Sequence, residues 1–467
     1  HFTPGPQTRI FVRGSFNNWE GSDYELSAIS GGLYRGTFEL PGNTGDSLEY
    51  KYVIEKEAGK LFWEHNPNSS NPPYGNRILV IDHQEISLPE ARFVPDDYFS
   101  YPVVFSRERL QADFLQMRRI LEETHPALYD YTEKSVLDSL FDSNYEKIDS
   151  ALEFSAFLML MTEVISQVGC GHSSLWIPAA FWNVAPVGMF PLGICIDGGR
   201  AFVKDFYAGP GAIPMGSEIL EINGKPLSEL VGRLEGLSSS DGLNPAFRRA
   251  KTAQHFSLKY ALAYGFYDAF QVRFRAPGEE KIREIELEPV TKEVIDRSRP
   301  DWSELSMKEI SGLDAALLTI NTFGYYGQVD MFRSFLDSVF SVIDDRGIDR
   351  LILDLRGNGG GDPFCASYLW AYLEPAALPY CEDHYGRYDT LATPVPLAPK
   401  PYRGKLYTLI DGLCFSTTGH FCGLLKYHRV GRFVGSETGA TYTCTGNATY
   451  PALDQTGIMV GTARVGR

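Results

Sequence analysis

The sequence predicts a multidomain α+β protein, and three observations carry that expectation. Short β-rich runs separated by Gly/Asn turns fill residues 1 to about 88. Helical periodicity begins after Ser106. In the last third of the chain, strongly apolar strands alternate with helical patterns. At 467 residues the chain exceeds one ordinary core, and roughly two to four domains are expected.

Taken in order, Arg9-Ile-Phe-Val-Arg13, Leu33 to Leu40, Leu48 to Ile54 and Lys60 to Glu64 are short β-rich runs. Clusters such as Asn17-Asn18, Gly31-Gly32 and Pro41-Gly-Asn-Thr-Gly45 separate them, which predicts a small β-sandwich over 1–88. The proline-bearing stretch from Leu88 to Pro102 reads as a linker. Ser106 is a suitable N-cap, and Leu110, Phe114, Met117 and Leu121 share one helical face that should end before Pro126. Further helices are predicted around Glu133 to Phe141 and Ala151 to Ser166, giving an α-rich segment over 89–185. From 186 to 292 short strands return, centred on a strand from Ser217 and an Asn223-Gly224 turn that leads into a helix. Over 293–467, Ala316 to Thr322, Arg350 to Leu355 and Lys405 to Asp411 read as strands. A helix is expected from about Ser416 to Tyr427, and Phe332, Phe335, Leu336, Val339 and Ile343 mark the face of another.

Composition narrows the function classes. Hydrophobic residues at 43% and aromatics at 13% are those of a folded globular protein. With 43 basic against 59 acidic side chains the formal charge is −16, which excludes a nucleic-acid backbone as partner. The most apolar run, Phe157 to Ile165, is about half the length that crosses a bilayer, so it reads as a buried helix and no membrane span is expected. Seven cysteines without a CxxC pair predict neither a disulfide framework nor a metal site. Cys195, Cys414 and Cys422 have apolar neighbours and read as small core residues. No cofactor is expected.

Three places can carry chemistry. In Asp411-Gly-Leu-Cys-Phe-Ser-Thr-Thr-Gly-His420 a buried strand ends and Ser416 opens a helix, where unsatisfied N–H groups can hold a developing oxyanion. An N-cap serine would give the same local pattern. Asp354-Leu-Arg-Gly-Asn-Gly-Gly-Gly-Asp362 follows another buried strand. Its glycines admit close backbone approach, yet it fits neither a dinucleotide fingerprint nor a P-loop, so a backbone-donor role is preferred to nucleotide binding. His172, in Gly169-Cys-Gly-His-Ser-Ser174, is a candidate general base. His420, four residues beyond Ser416 on the same helical face, is its rival, and the residues alone leave the choice open.

Together these strings resemble peptidase family S41, which includes the C-terminal processing proteases and the tricorn core. The family's GDGHT-like string, PDZ-like domain, DLRxNxGG string, serine at a strand-to-helix turn and GExTxG string have counterparts here in that order. They are Gly169 to Ser173, Gly216 to Gly224, Asp354 to Gly361, Ser416, and Gly435-Ser-Glu-Thr-Gly439. The resemblance implies a PDZ-like domain over 186–292 and a crotonase/ClpP-like α/β catalytic core over 293–467. The lysine of the processing proteases' TxGK string is absent, because Thr438-Gly-Ala-Thr441 stands there, and Gly419 replaces their acidic residue after the serine. That departure implies the tricorn-like arrangement: Ser416 as nucleophile, His172 as base, and the N–H groups of Gly360 (or Gly361) and Thr417 as oxyanion donors. Cys170 replaces the usual acid beside the histidine. The orienting carboxylate of such a site lies well downstream of the serine, which points past Arg467, and a structural role is expected for Glu437. The implied function is a serine endopeptidase or carboxyl-terminal-processing peptidase acting on peptides or proteins. A secreted or periplasmic setting is expected from the family and from a chain that opens at His1 without a leader.

Residues 1–88 carry a second resemblance. Gly14-Ser-Phe-Asn-Asn-Trp19, Tyr50-Lys-Tyr52, Phe62-Trp63 and Gly75-Asn76 are similar to immunoglobulin-like glycogen-binding modules of the isoamylase/AMPK-β type. The resemblance implies α-glucan contact through Trp19, Lys51, Trp63 and Asn76. Two other functions compete with the peptidase: a catalytically silent peptide- or ligand-binding protein on the same scaffold, and a glucan-associated serine esterase.

Overall fold

The computed structural model describes residues 9–30, 33–56, 60–63, 76–81, 83, 85–86, 101–208, 211, 213–242, 244–298, 305–374, 376–382, 386–441 and 446–464. The expected linker from Leu88 lies outside the described residues apart from its last two.

The largest core surrounds a five-stranded sheet in the order Leu305–Ile310, Ala315–Ile320, Arg350–Asp354, Lys405–Ile410, Arg432–Gly435. The first pair is antiparallel and the others are parallel. Leu351 and Leu353 are fully buried. Parallel strands covered on both faces need such apolar runs. The helix Val329–Asp345 buries Phe332, Leu336, Val339, Phe340 and Ile343, an i, i+3, i+4 stripe against the sheet. The helices Pro363–Leu373 and Thr417–Tyr427 follow the two central strands. Asp354 and Leu409 are paired in register, so the loops leaving both strands emerge side by side at their carboxyl ends. In open α/β sheets such ends form the binding crevice.

A second, antiparallel sheet runs Leu192–Asp197, Arg200–Phe206, Glu218–Ile222, Phe270–Arg275, Ile282–Leu287, with Lys225–Pro226 beside the third strand. Asn223 (φ 49°) and Gly224 (φ 72°) make the tight turn before Lys225. The helix Leu227–Gly236 follows, as the sequence predicts, while Pro245–Gln254 and Phe256–Tyr264 are helices the strand reading overlooked. Cys195 corrects an expectation: Leu192 and Ile194 point inward, and alternation leaves Cys195 exposed. Cys414 and Cys422 are buried as read.

The helices Arg107–Thr124, Lys134–Glu146 and Phe154–Gln167 form a third core, with Leu110, Phe114, Met117 and Leu121 buried. The first ends at His125, whose extended ψ of 115° is the conformation Pro126 demands of its neighbour. Met459–Gly461 returns to pair antiparallel with Ser174–Trp176, setting Gly461 opposite Ser174. Buried Asp113 fixes that return by accepting the N–H of Gln455 and both the N–H and hydroxyl of Thr456. The last part of the chain is thereby tied to the segment that carries His172.

The N-terminal strands Arg9–Gly14, Glu25–Ser30, Leu33–Arg35, Ser47–Lys56, Lys60–Trp63 and Arg77–Val80 form one antiparallel network. Ile10 and Ile54 are its buried centre. The expected strand to Leu40 stops at Arg35, and Glu25–Ser30 was not foreseen.

Candidate active site

Ser416 closes the turn between the strand Lys405–Ile410 and the helix Thr417–Tyr427. Its backbone is at φ 52°, ψ −125°, a conformation that side-chain-bearing residues rarely adopt. Such strain costs about 1–3 kcal/mol and persists only where neighbours over-determine it. Here they do. The carboxylate of Asp411 accepts the N–H of Leu413 and of Gly357, joining the turn to the glycine loop of the adjacent strand. Phe415 N–H donates to the Asn358 carbonyl, and Gly439 N–H donates to that of Cys414.

His172 reaches the same point from the other side of the molecule. Its Nε2 lies 3.1 Å from Ser416 Oγ. The imidazole packs on Phe415 at 4.7 Å between centroids, and Phe415 stacks on Phe247 at 4.4 Å. Gly171 is required for this approach, since a Cβ there would sit 2.5 Å from the Phe415 ring. Burial first, and then the charge of nearby His125, push the His172 imidazolium down to about 4. The ring is therefore neutral near pH 7, the state in which a nitrogen can accept a proton. His420 is placed otherwise: its N–H donates to the Ser416 carbonyl, and its ring meets Tyr380 edge-on at 4.7 Å.

The glycine loop forms the floor. Asn358 is fully buried and ties three elements together. Its Nδ2 donates to the Ile320 carbonyl, while Oδ1 accepts the Thr418 hydroxyl and the N–H of Gly360. The N–H of Gly360, the expected oxyanion donor, points to Asn358 Oδ1 at 3.0 Å in this arrangement. A Cβ on Gly360 would fall 2.8 Å from the Cβ of Ser416, and one on Gly361 would fall 2.1 Å from the Phe323 carbonyl carbon. Both glycines also have positive φ, so no other residue fits. Thr417 opens the helix, where its N–H has no intrahelical acceptor, and its hydroxyl donates to the Gly361 carbonyl. Glu437 is exposed.

Two residues near His172 carried no sequence signal. Asp241 is buried, and its Oδ1 accepts the N–H of Gly171 at 2.7 Å. His125 is also buried, its Nδ1 accepting the N–H of Ala127. Among the described residues, Cys170, His172 and Asp241 bring donor atoms of the kind that hold metal ions within 4.8 Å of one another. The sequence offered no metal-ligand spacing, because 70 residues separate Gly171 from Asp241. Far along the chain, Trp19 and Trp63 lie 6.3 Å apart, Lys51 pairs with Arg13 in register, and Asn76 Nδ2 donates to Glu49.

Residues 314–466 match peptidase family S41. Over these residues the chain carries the sequence pattern of a serine-type peptidase domain. No curated protein matches the sequence. Among solved structures, mature CPAF is similar at 15% identity and a TM-score of 0.53, over 77% of this chain and 88% of that one. The likeness extends the shared mixed α/β fold well beyond the S41 match. The photosystem II D1 C-terminal processing protease is similar at 15% identity over 76% and 88% of the two chains, with a TM-score of 0.39. Among the described residues no helix is long and apolar enough to cross a membrane.

Proposed function

We propose that the chain is a serine peptidase in which Ser416 is the nucleophile and His172 the general base. The reading rests on one observation: a strained serine at a strand-to-helix turn has its hydroxyl 3.1 Å from a half-buried imidazole. In the cycle, His172 Nε2 takes the Ser416 proton as Oγ bonds to the substrate carbonyl carbon. Collapse breaks the C–N bond, and His172 returns the proton to the departing amine. Water then repeats the sequence on the acyl-enzyme, releasing the acid and restoring Ser416. Thr417 N–H supplies one oxyanion donor, and each such donor is worth about 2.7–4 kcal/mol. The second donor requires the Gly360 peptide to turn away from Asn358, or the Gly361 N–H to take its place.

The antiparallel sheet over 192–287 supports a PDZ-like reading, in which a peptide strand adds to a sheet edge. A separate reading, α-glucan binding by the N-terminal strands, is favoured by the Trp19–Trp63 pair with Arg13 over the Trp63 ring at 5.7 Å. Retardation of the protein in a glycogen-containing gel, lost in Trp63→Ala, tests it; equal mobility of the two proteins sinks it.

The peptidase reading is tested by a fluorophosphonate probe and intact-mass analysis. The expected result is one adduct on Ser416, absent in Ser416→Ala and slowed at least about 10³-fold in His172→Ala. Absence of an adduct on the folded wild type would transfer the function to a silent binding protein. Cleavage of esters but never of amides would favour the esterase.

A further inference from the structure

Two buried polar atoms beside the active site have no partner among the described residues: Nδ1 of His172 and Oδ2 of Asp241. Each would cost free energy if left so, and each therefore calls for an explanation. They belong to neighbouring groups, since a ring nitrogen of His172 and a carboxylate oxygen of Asp241 lie within 4.8 Å. Nε2 is occupied by Ser416, which leaves Nδ1 as the nitrogen to be served.

Asp241 is also held firmly against the loop that carries the base. Its Oδ1 accepts the Gly171 N–H, and the N–H of Gly242 donates to the Gly169 carbonyl at 2.8 Å. Ser240 braces the turn by donating to the Gly242 carbonyl, and Arg248 Nε donates to Ser240 in turn. The carboxylate is thus tied to the histidine loop, with one oxygen bound to it and the other unpartnered among the described residues.

We propose that Asp241 is the positioning carboxylate of His172, accepting its Nδ1–H and so holding the tautomer whose Nε2 lone pair faces Ser416. Closure of the gap needs a small side-chain approach or one bridging water. The proposal rests on the peptidase reading, and it supplies within the described chain an orienting group that the S41 resemblance sought downstream of the serine. Burial raises the Asp241 carboxyl to about 6, against the pull of the Gly171 N–H, so the group is ionised at neutral pH. Among the described residues, His125 and Cys170 are the other titratable groups placed near the ring.

Asp241→Asn separates this role from simple loop bracing. Asparagine keeps an oxygen for the Gly171 N–H, but its amide NH₂ faces Nδ1 and drives the ring proton to Nε2. The expected result is fluorophosphonate labelling slowed by up to about 10⁴-fold, with a melting temperature no lower than wild type. ¹⁵N spectra of histidine-labelled protein, with His172 assigned through His172→Ala, should show the proton on Nδ1 in wild type and on Nε2 in Asp241→Asn. Wild-type labelling by Asp241→Asn, or an unchanged tautomer, overturns the proposal. If wild type takes no probe yet the tautomer moves, the peptidase reading falls and Asp241 still positions His172.

Discussion

The burial of Asp241 makes a second, thermodynamic prediction, independent of any substrate. Its carboxyl rises from an ordinary 3.8 to about 6 because burial disfavours the charged form. At about 1.36 kcal/mol per pH unit, that corresponds to roughly 3 kcal/mol, an order-of-magnitude value. A carboxyl raised on folding stabilises the native state while both states are protonated, below about pH 4. The contribution is lost as pH climbs, since the unfolded chain ionises first, and it is gone once the pH passes about 6. Asp241→Asn has no proton to lose at this position. Its stability relative to wild type should therefore increase by up to about 3 kcal/mol between pH 4 and pH 7, and then level off. Urea unfolding of both proteins at pH 4, 5.5 and 7, followed by tryptophan fluorescence, measures that gap. The same substitution is expected to abolish most of the labelling, so activity and stability should move in opposite directions. A gap that stays constant with pH would refute the reasoning, because it would mean the carboxyl is not desolvated on folding.

Other consequences can be checked alongside. Asn358→Ala leaves Thr418, Gly360 and Ile320 without their buried partner, and should cost at least about 2 kcal/mol in denaturant unfolding. A value under about 0.5 kcal/mol would show that the loop does not depend on this side chain. Gly361→Ala puts a Cβ against the Phe323 backbone at positive φ and should yield little folded protein, whereas Gly359→Ala meets nothing nearby and should fold normally on circular dichroism. Lys259 is half-buried, its Nζ donating to Ser238 at 2.6 Å, and desolvation lowers its ammonium to about 8. A lysine depressed on folding loses stability as pH falls from its unfolded value of 10.5 to its folded value of about 8, so Lys259→Met should flatten the wild-type decline between pH 10 and pH 8 in the same unfolding assay.

How far the site could be read in advance depends on how each residue gets there. Ser416, Thr417 and the glycine loop are local: a strand, a turn and a helix start are written in consecutive residues, and apolar strands such as Arg350–Asp354 announce themselves. The committed hydrogen bond of Gly360 was not legible, because it depends on the side chain of Asn358 folding back two residues along the loop. Cys195 failed for a related reason. Apolar neighbours do not reveal which face of a half-covered strand a residue occupies.

Asp241 is the furthest from legible. It stands in Ser238-Ser-Ser-Asp-Gly242, which reads as an ordinary polar turn, and no spacing ties it to a histidine 69 residues earlier. What joins them is a pair of backbone contacts, Gly171 N–H to Asp241 and Gly242 N–H to Gly169, made when the antiparallel sheet's helices dock near the end of Phe154–Gln167. A family pattern directs attention to a carboxylate downstream of the serine, where chain order is shared. Physical chemistry asks only for a buried acceptor at the free nitrogen of the base, and any segment can deliver one. If Asp241 serves His172, geometry at the base has been kept while the chain position that supplies it differs from the pattern. The tautomer of His172 in Asp241→Asn decides that question without reference to any substrate.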